Sequence, residues 1–283
     1  MLPEDYEKGL IQLEEGFEFD RRVTVNRSLV NAFYIFTKGE VCNELPNLRL
    51  SAQSSNIIQA ATDGSCINNG TAEARAGAGI FTEGEDGLEI ALRILATLQQ
   101  SNQVGEAVAT KELADRVNTR AMLHNATDST YVLRHLTTSL QVMEDTGYVE
   151  VPNREILQAM VASFCRRKQV STIKWVKGHN GHYRNVMANI LVDKGAQKET
   201  EDPINLNIEP SLCVTGAALP KLTQSRAYKA LQEHCSQNLP LHKKTTNNVK
   251  LAMQGAQESF GFKPSESALG RSLRHKDIVR PRS

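Results

Sequence analysis

The chain has 283 residues, 40% of them hydrophobic, 23% charged and only 5% aromatic, with a formal net charge of +1. That length suits one medium domain with extensions, or two small domains. Near-neutrality says little about partners. No apolar run approaches the roughly 20 residues of a bilayer span, which argues against a transmembrane helix.

Charge is unevenly placed. Residues before Ile57 carry six Lys/Arg against nine Asp/Glu, and those from Lys221 onward carry twelve against four. Attraction to nucleic acid should therefore concentrate at the tail, which reads as a solvated basic surface, a nucleic-acid arm or a partner-docking segment. Five cysteines, at 42, 66, 165, 213 and 235, form neither a CxxC pair nor a secreted framework, so reduced thiols are expected. The opening "MLPEDYEKGL" is acidic where a signal peptide would be basic, then apolar. An intracellular protein with no membrane segment is expected, in nucleus or cytoplasm without distinction.

Residues 1–56 offer one weakly amphipathic stretch and a short apolar run, "LVNAFYIF" (29–36), before the linker-like "NELPNLRLSAQSSN". "IIQAAT" (57–62) reads as a strand, and "CINNGTAEARAG" as a turn-rich link. "AGAGIF" and "LEIALRIL" read as two more strands joined by the hairpin loop "TEGEDG". In "SNQVGEAVATKELADRVN" the period changes: Ala109, Leu113 and Val117 share one helical face, with the charged residues placed elsewhere. "AMLHNAT" returns to strand before Asp128. "NREILQAMVASFCRR" is the clearest helix, with Ile156, Leu157, Met160, Val161 and Phe164 as its stripe and Asn153 as its expected cap. "STIKWVK" is a strand, "GHNGHYRN" a loop, and "VMANILVDKGA" a helix closed by Gly195. The order predicts a mixed α/β domain over 57–197, preceded by an ill-defined head (1–56). After it, over 198–283, comes a basic extension with helices in "LTQSRAYKALQEHC" and "NNVKLAMQGAQESF" and a disordered final dozen residues.

The chemistry-bearing residues fall at element ends. Asp63 closes the first strand, Glu106 starts the first helix, and Asp128 follows the fourth strand. If the first and fourth strands are neighbours, these positions converge on one edge. Three close carboxylates repel and raise one another's pKa, so a cation is needed to hold them together. An all-oxygen set selects Mg²⁺ or Mn²⁺ over zinc. Alone, Asp63 before Gly64 would read as a turn. His179 and His182 share a Gly-rich loop and suggest a zinc pair, but no cysteine lies near them at ligand spacing.

"TDGSCINN" (62–69), "SNQVGE" (101–106), "TDSTYV" (127–132) and "WVKGHNGHYRN" (175–185) resemble, in order and spacing, the motifs of type 1 ribonuclease H. The likeness is greatest to retroelement-borne domains associated with reverse transcriptases, and it covers about half the chain. It implies a ribonuclease H-like α/β fold with a five-stranded mixed sheet flanked by helices. The implied reaction is endonucleolytic two-metal hydrolysis of the RNA strand of an RNA/DNA hybrid, leaving 5′-phosphate ends, with a reverse transcriptase as a partner. The resemblance puts the metal carboxylates on Asp63, Glu106 and Asp128, and the loop histidine that moves protons or releases product on His179. Cys66, Asn69 and Asn102 fall at positions that read the 2′-hydroxyl. Ser101 falls at a phosphate contact. Asn69 and Asn102 have a plainer reading as turn formers and Cys66 as a packing residue, and Trp175 is taken as core.

Several positions depart from the family pattern. The fourth metal carboxylate belongs where this chain has Asn189, which offers a neutral oxygen or is simply a polar helix residue. Asn185 matches the family asparagine, but Val186 replaces its usual glutamate. Thr130 stands where relatives carry a longer amide, and "EDTGYVEVPN" lacks a basic hook. Asn125 sits in a central strand where an unsatisfied amide would cost about 1–3 kcal/mol. The alternative function is a hybrid- or RNA-binding module whose turnover is weakened.

Overall fold

In the computed structural model, which describes residues 16–19, 34–35, 56–84, 87–178, 181–212, 216–238 and 243–261, the first long strand outruns its apolar stretch. β3 (Ile57–Ile67) carries eleven residues, and only its first half is apolar. It pairs antiparallel with β4 (Arg75–Thr82), which pairs antiparallel with β5 (Glu89–Arg93). On its other side β3 runs parallel to β6 (Met122–Thr127), and β6 parallel to β7 (Ser171–Trp175). Asp63 is therefore interior to β3. Its chain continues because β4 still offers partners, from Asp63↔Gly79 to Ile67↔Arg75, where β6 has already ended. "CI" at 66–67, expected in a link, is the last part of that strand.

Among the described residues the sheet has six strands rather than five, in the order β1-β7-β6-β3-β4-β5. The extra strand is β1 (Phe17–Glu18), antiparallel to β7. Phe19 continues it, donating its amide to Ser171 O at 2.8 Å and setting its buried ring 5.3 Å from that of Phe164. Only Phe-Glu-Phe alternates there, too short a period-2 signal to read in an acidic stretch. At the far edge the 198–202 segment covers β5. Asp202 N donates to Arg93 O, Arg93 N returns a bond to Asp202 Oδ2, and Lys198 Nζ reaches Ala91 O. Backbone groups that would otherwise offer an open edge are thus occupied.

Helices pack on both faces. α1 (Asn102–Arg116) lies on one side, under α4 (Arg154–Arg166), whose expected stripe is buried throughout. The charges of α1 lie off its Ala109–Leu113–Val117 face as expected, yet Lys111 is 2% and Glu112 5% exposed. Residues 104–114 of α1 are all buried, so those charges pair within the protein. Lys111 Nζ meets Glu112 and Asp115 at 2.7 and 2.8 Å, and Glu112 also accepts from Arg116 at 2.9 Å. α5 (Tyr183–Gln197) covers the opposite face, over Gly77 and Gly79 of "RAGAGIF". A Cβ on either glycine would strike the backbone of Ala188, Val192 or Ala196. Gly195 does not close α5, which runs to Gln197; it is buried against Leu92 of β5.

α2 (Thr130–Leu136) and α3 (Leu140–Asp145) bridge β6 to α4. Asn153 makes no capping bond. It adopts a left-handed conformation at φ 57°, one an asparagine tolerates. Beyond α5, Ile204 and Leu212 are buried in the same core, with Leu206 and Ile208 packed on it. Two residues of the "LVNAFYIF" run form β2 (Tyr34–Ile35), paired with β8 (Ala217–Ala218).

The chain divides into two units, Met1–Ala227 and Tyr228–Ser283. The second holds most of α6 (Gln224–Asn238) and all of α7 (Lys243–Phe260), the expected C-terminal helices. The final dozen residues lie outside the described residues. Among those described, no helix is long and apolar enough to cross a membrane.

Candidate metal centre

The repeated Thr-Asp pair has a geometric cause. The last rung between parallel β3 and β6 is Ala61↔Ala126, and Asp63 and Asp128 each stand two residues beyond it. Side chains two apart on a strand share a face, so neighbouring parallel strands in register deliver both carboxylates to one place. That place lies at the carboxyl ends of parallel strands, where open α/β sheets keep their functional clefts.

Glu106 arrives from above. A Cβ on Gly64 would collide with the Gly105–Glu106 backbone, so this glycine lets α1 sit directly on β3. Glu106 belongs to the second turn of α1 and is 9% exposed. One carboxylate oxygen from each of Asp63, Glu106 and Asp128 lies within 4.8 Å of the others. Asp63 Oδ1 accepts from Gly64 N at 2.7 Å. Glu106 Oε2 is buried with no hydrogen-bond partner among the described residues. Burial, and then the charges of Asp63 and Asp128, push the Glu106 carboxyl well above the ordinary glutamate range, with the Gly64 amide pulling the other way.

Asp128 is fixed by three neighbours. Asn185 Nδ2 donates to its Oδ2 at 3.3 Å, and the Trp175 indole donates to its backbone carbonyl at 3.1 Å. Gly178 lies so close that a Cβ there would meet the carboxylate. Trp175 packs on the core as expected, but it also positions an acidic residue. Asn185 was legible only as a motif match. Its Oδ1 is also buried with no partner among the described residues, and polarity in a helix sequence does not reveal which way an amide points.

These residues fit a hard divalent cation. All the donors are oxygen, three acidic groups converge, and one buried carboxylate oxygen lacks a donor among the described residues. Oxygens around Mg²⁺ at about 2.0–2.1 Å lie up to roughly 4.2 Å apart, so 4.8 Å requires only a small contraction.

Asn189 is half-buried, one turn after Asn185 on α5. His179 lies outside the described residues. His182 occupies the N-cap position of α5 without a side-chain cap bond; burial, Arg184 and Lys174 pull its pKa down. Ser101 caps α1 by accepting from Val104 N at 3.4 Å, and Asn102 is exposed beside it. Asn69 is exposed at the β3–β4 turn. Cys66 is half-buried against the core, and burial pushes its thiol pKa up. The feared orphan at Asn125 is absent, because its amide donates to Thr62 Oγ1 at 3.0 Å.

A family model described as RNase H matches residues 55–198, about half the chain. The chain belongs to the RNase H family, and the mixed sheet with helices on both faces is its RNase H-like fold. Among curated relatives it is 30% identical over 155 residues to Ribonuclease H of Saccharomyces cerevisiae, covering 48% of this chain and 44% of that protein. It is 29% identical over 146 residues to Ribonuclease H1 of Homo sapiens, covering half of each. A third relative, Ribonuclease H of Vibrio cholerae, is 30% identical over 161 residues, covering 54% of this chain and 97% of its own length. The chain thus spans about half the length of the yeast and human relatives.

Proposed function

We propose that the protein is a divalent-metal-dependent endonuclease that hydrolyses the RNA strand of RNA/DNA hybrids, leaving 5′-phosphate ends. The observation that carries this reading is the convergence of Asp63, Glu106 and Asp128, with one oxygen of Glu106 buried and unpartnered. These three would hold Mg²⁺ or Mn²⁺, with Asn189 as a neutral contributor. When bound, a pair of such ions supplies an activated water and stabilises the leaving 3′-oxygen.

The chain's own groups do the rest. Asn185 and Gly178 hold the Asp128 carboxylate in place, and Trp175 holds its backbone. Ser101 Oγ accepts from Val104 N, so its own O–H is free to donate to a phosphate oxygen at the start of α1. Asn69 and Asn102, both exposed, present amides to a ribose 2′-hydroxyl, and Cys66 borders the same strand end. His179 moves a proton or assists product release. Affiliation with reverse-transcriptase-associated elements, and with such a polymerase as partner, rests on the motif resemblance; the proposed setting is intracellular.

Cleavage of a labelled hybrid, with and without Mg²⁺ or Mn²⁺, tests the reading. RNA-strand cuts that chelator abolishes are expected, and an intact hybrid at high Mn²⁺ overturns it. Asn189 favours a second reading, since an amide brings no charge to a second ion. On that reading the domain binds hybrids without turning them over. Its binding weakens with salt by about 0.9 in the log–log slope per duplex phosphate contact. Salt-independent binding excludes it.

A further inference from the structure

We propose that Thr62, Thr110 and Asn125 form a buried polar relay that positions the three carboxylates for cation binding. The inference rests on the metal-site reading above and assigns these residues a role through others, as positioning residues. Asn125 Nδ2 donates to Thr62 Oγ1 at 3.0 Å, and Thr62 Oγ1 lies 3.2 Å from Thr110 Oγ1. All three side chains are fully buried, and none of their polar atoms is left without a partner.

Their placement argues for more than a satisfied core. Thr62 immediately precedes Asp63 on β3. Thr110 is one turn after Glu106 on α1, stacked on the same helical face. Asn125 is three residues before Asp128 on β6. The relay therefore joins the same three elements that deliver the carboxylates. Three like charges within 4.8 Å push those elements apart, and the relay ties them together behind the site. Hydrogen bonds fix separation and angle narrowly, whereas apolar packing is non-directional and resists sliding less. Asn125 in a central strand is also costly without partners, and the hydroxyl of Thr62, itself paired with Thr110, is what satisfies it.

Calorimetric titration of the full chain with Mn²⁺ and with Mg²⁺ tests this directly. Thr110→Val removes the hydroxyl without changing the shape and should weaken the ion Kd about tenfold. That is the lower end of the roughly 10–100-fold typical of groups supporting metal ligands, because the relay acts through backbone. Thr110→Ser keeps the hydroxyl and should bind close to wild type. The triple variant Thr62→Val, Thr110→Val, Asn125→Leu replaces every partner with an apolar equivalent, so its stability should recover. Its ion affinity should stay weak, and hybrid KM at saturating metal should not move. Wild-type affinity in Thr110→Val, or affinity returning with stability in the triple variant, overturns the proposal. If Thr110→Val does not fold, Asn125→Leu, which leaves the Thr62–Thr110 pair intact, takes its place with the same expected weakening and the same overturning result. Uptake of neither ion by the wild-type protein removes the metal reading itself, and the relay's role with it.

Discussion

Two glutamates on one helix, six residues apart, are nearly equally buried and have opposite surroundings. Glu112 is 5% exposed and bonded to Lys111 and Arg116. Glu106 is 9% exposed, faces two more carboxylates, and leaves one oxygen unpartnered. Burial is therefore not what separates structure from function here. The distinguishing feature is whether the protein compensates the carboxylate itself: at Glu112 it does, and at Glu106 the described residues supply no cation.

That contrast can be broken from either end. The largest effect is expected from Asp63→Asn. It should cut the hybrid-cleavage rate by about 10³-fold or more, in keeping with several kcal/mol of metal-borne stabilisation. Initial rates on a labelled hybrid check it, and retention of most of the rate would remove Asp63 from the centre. Next, Glu112→Ala deprives buried Lys111 of one of its two anions. Urea unfolding should show a loss of about 2–3 kcal/mol, below the roughly 3–5 kcal/mol of a fully orphaned ion, because Asp115 remains. Metal affinity should not change; if it does, the two halves of α1 are not independent.

Asn189→Asp is expected to raise cleavage at limiting Mg²⁺ about tenfold, equivalent to roughly 1.4 kcal/mol. A metal titration of the rate decides whether the missing charge matters. The smallest effect concerns Glu106 in metal-free protein. Its pKa is higher folded than unfolded, so the native state binds more protons. Stability should then fall as pH rises from the ordinary glutamate value of about 4.3 towards the raised one, while metal affinity rises over the same window. Glu106→Gln should remove that slope and lift the neutral-pH unfolding midpoint by about 2–4 °C, as about 1 kcal/mol does in a domain this size. Thermal scans in chelator across pH test both points.

Legibility followed the reach of each signal. The α4 stripe and the apolar starts of β3 and β6 were readable because a period of 3.6 or a run of apolar residues is local. β1 was not, since two residues gain their strand character only by lying along β7. The continuation of β3 past Asp63 was likewise hidden, because polar "DGSCI" is held extended by β4 rather than by its own propensity. Asn153 has the composition of a cap but not its geometry. Asn125 is out of place by its strand alone, and its partner Thr62 lies 63 residues away in the chain.

The sequence by itself determined the residue types and their order: three acidic residues in motifs that resemble one family, an amide where a fourth acid was expected, and an α/β alternation. Those properties are local or additive along the chain. Only the tertiary structure decided that the two aspartates share a register, that Gly64 admits α1 close enough to bring Glu106 to them, and that one glutamate is compensated while the other is not. Charge compensation and close approach depend on distances between segments far apart in sequence, and those distances exist only once the sheet and its helices have packed.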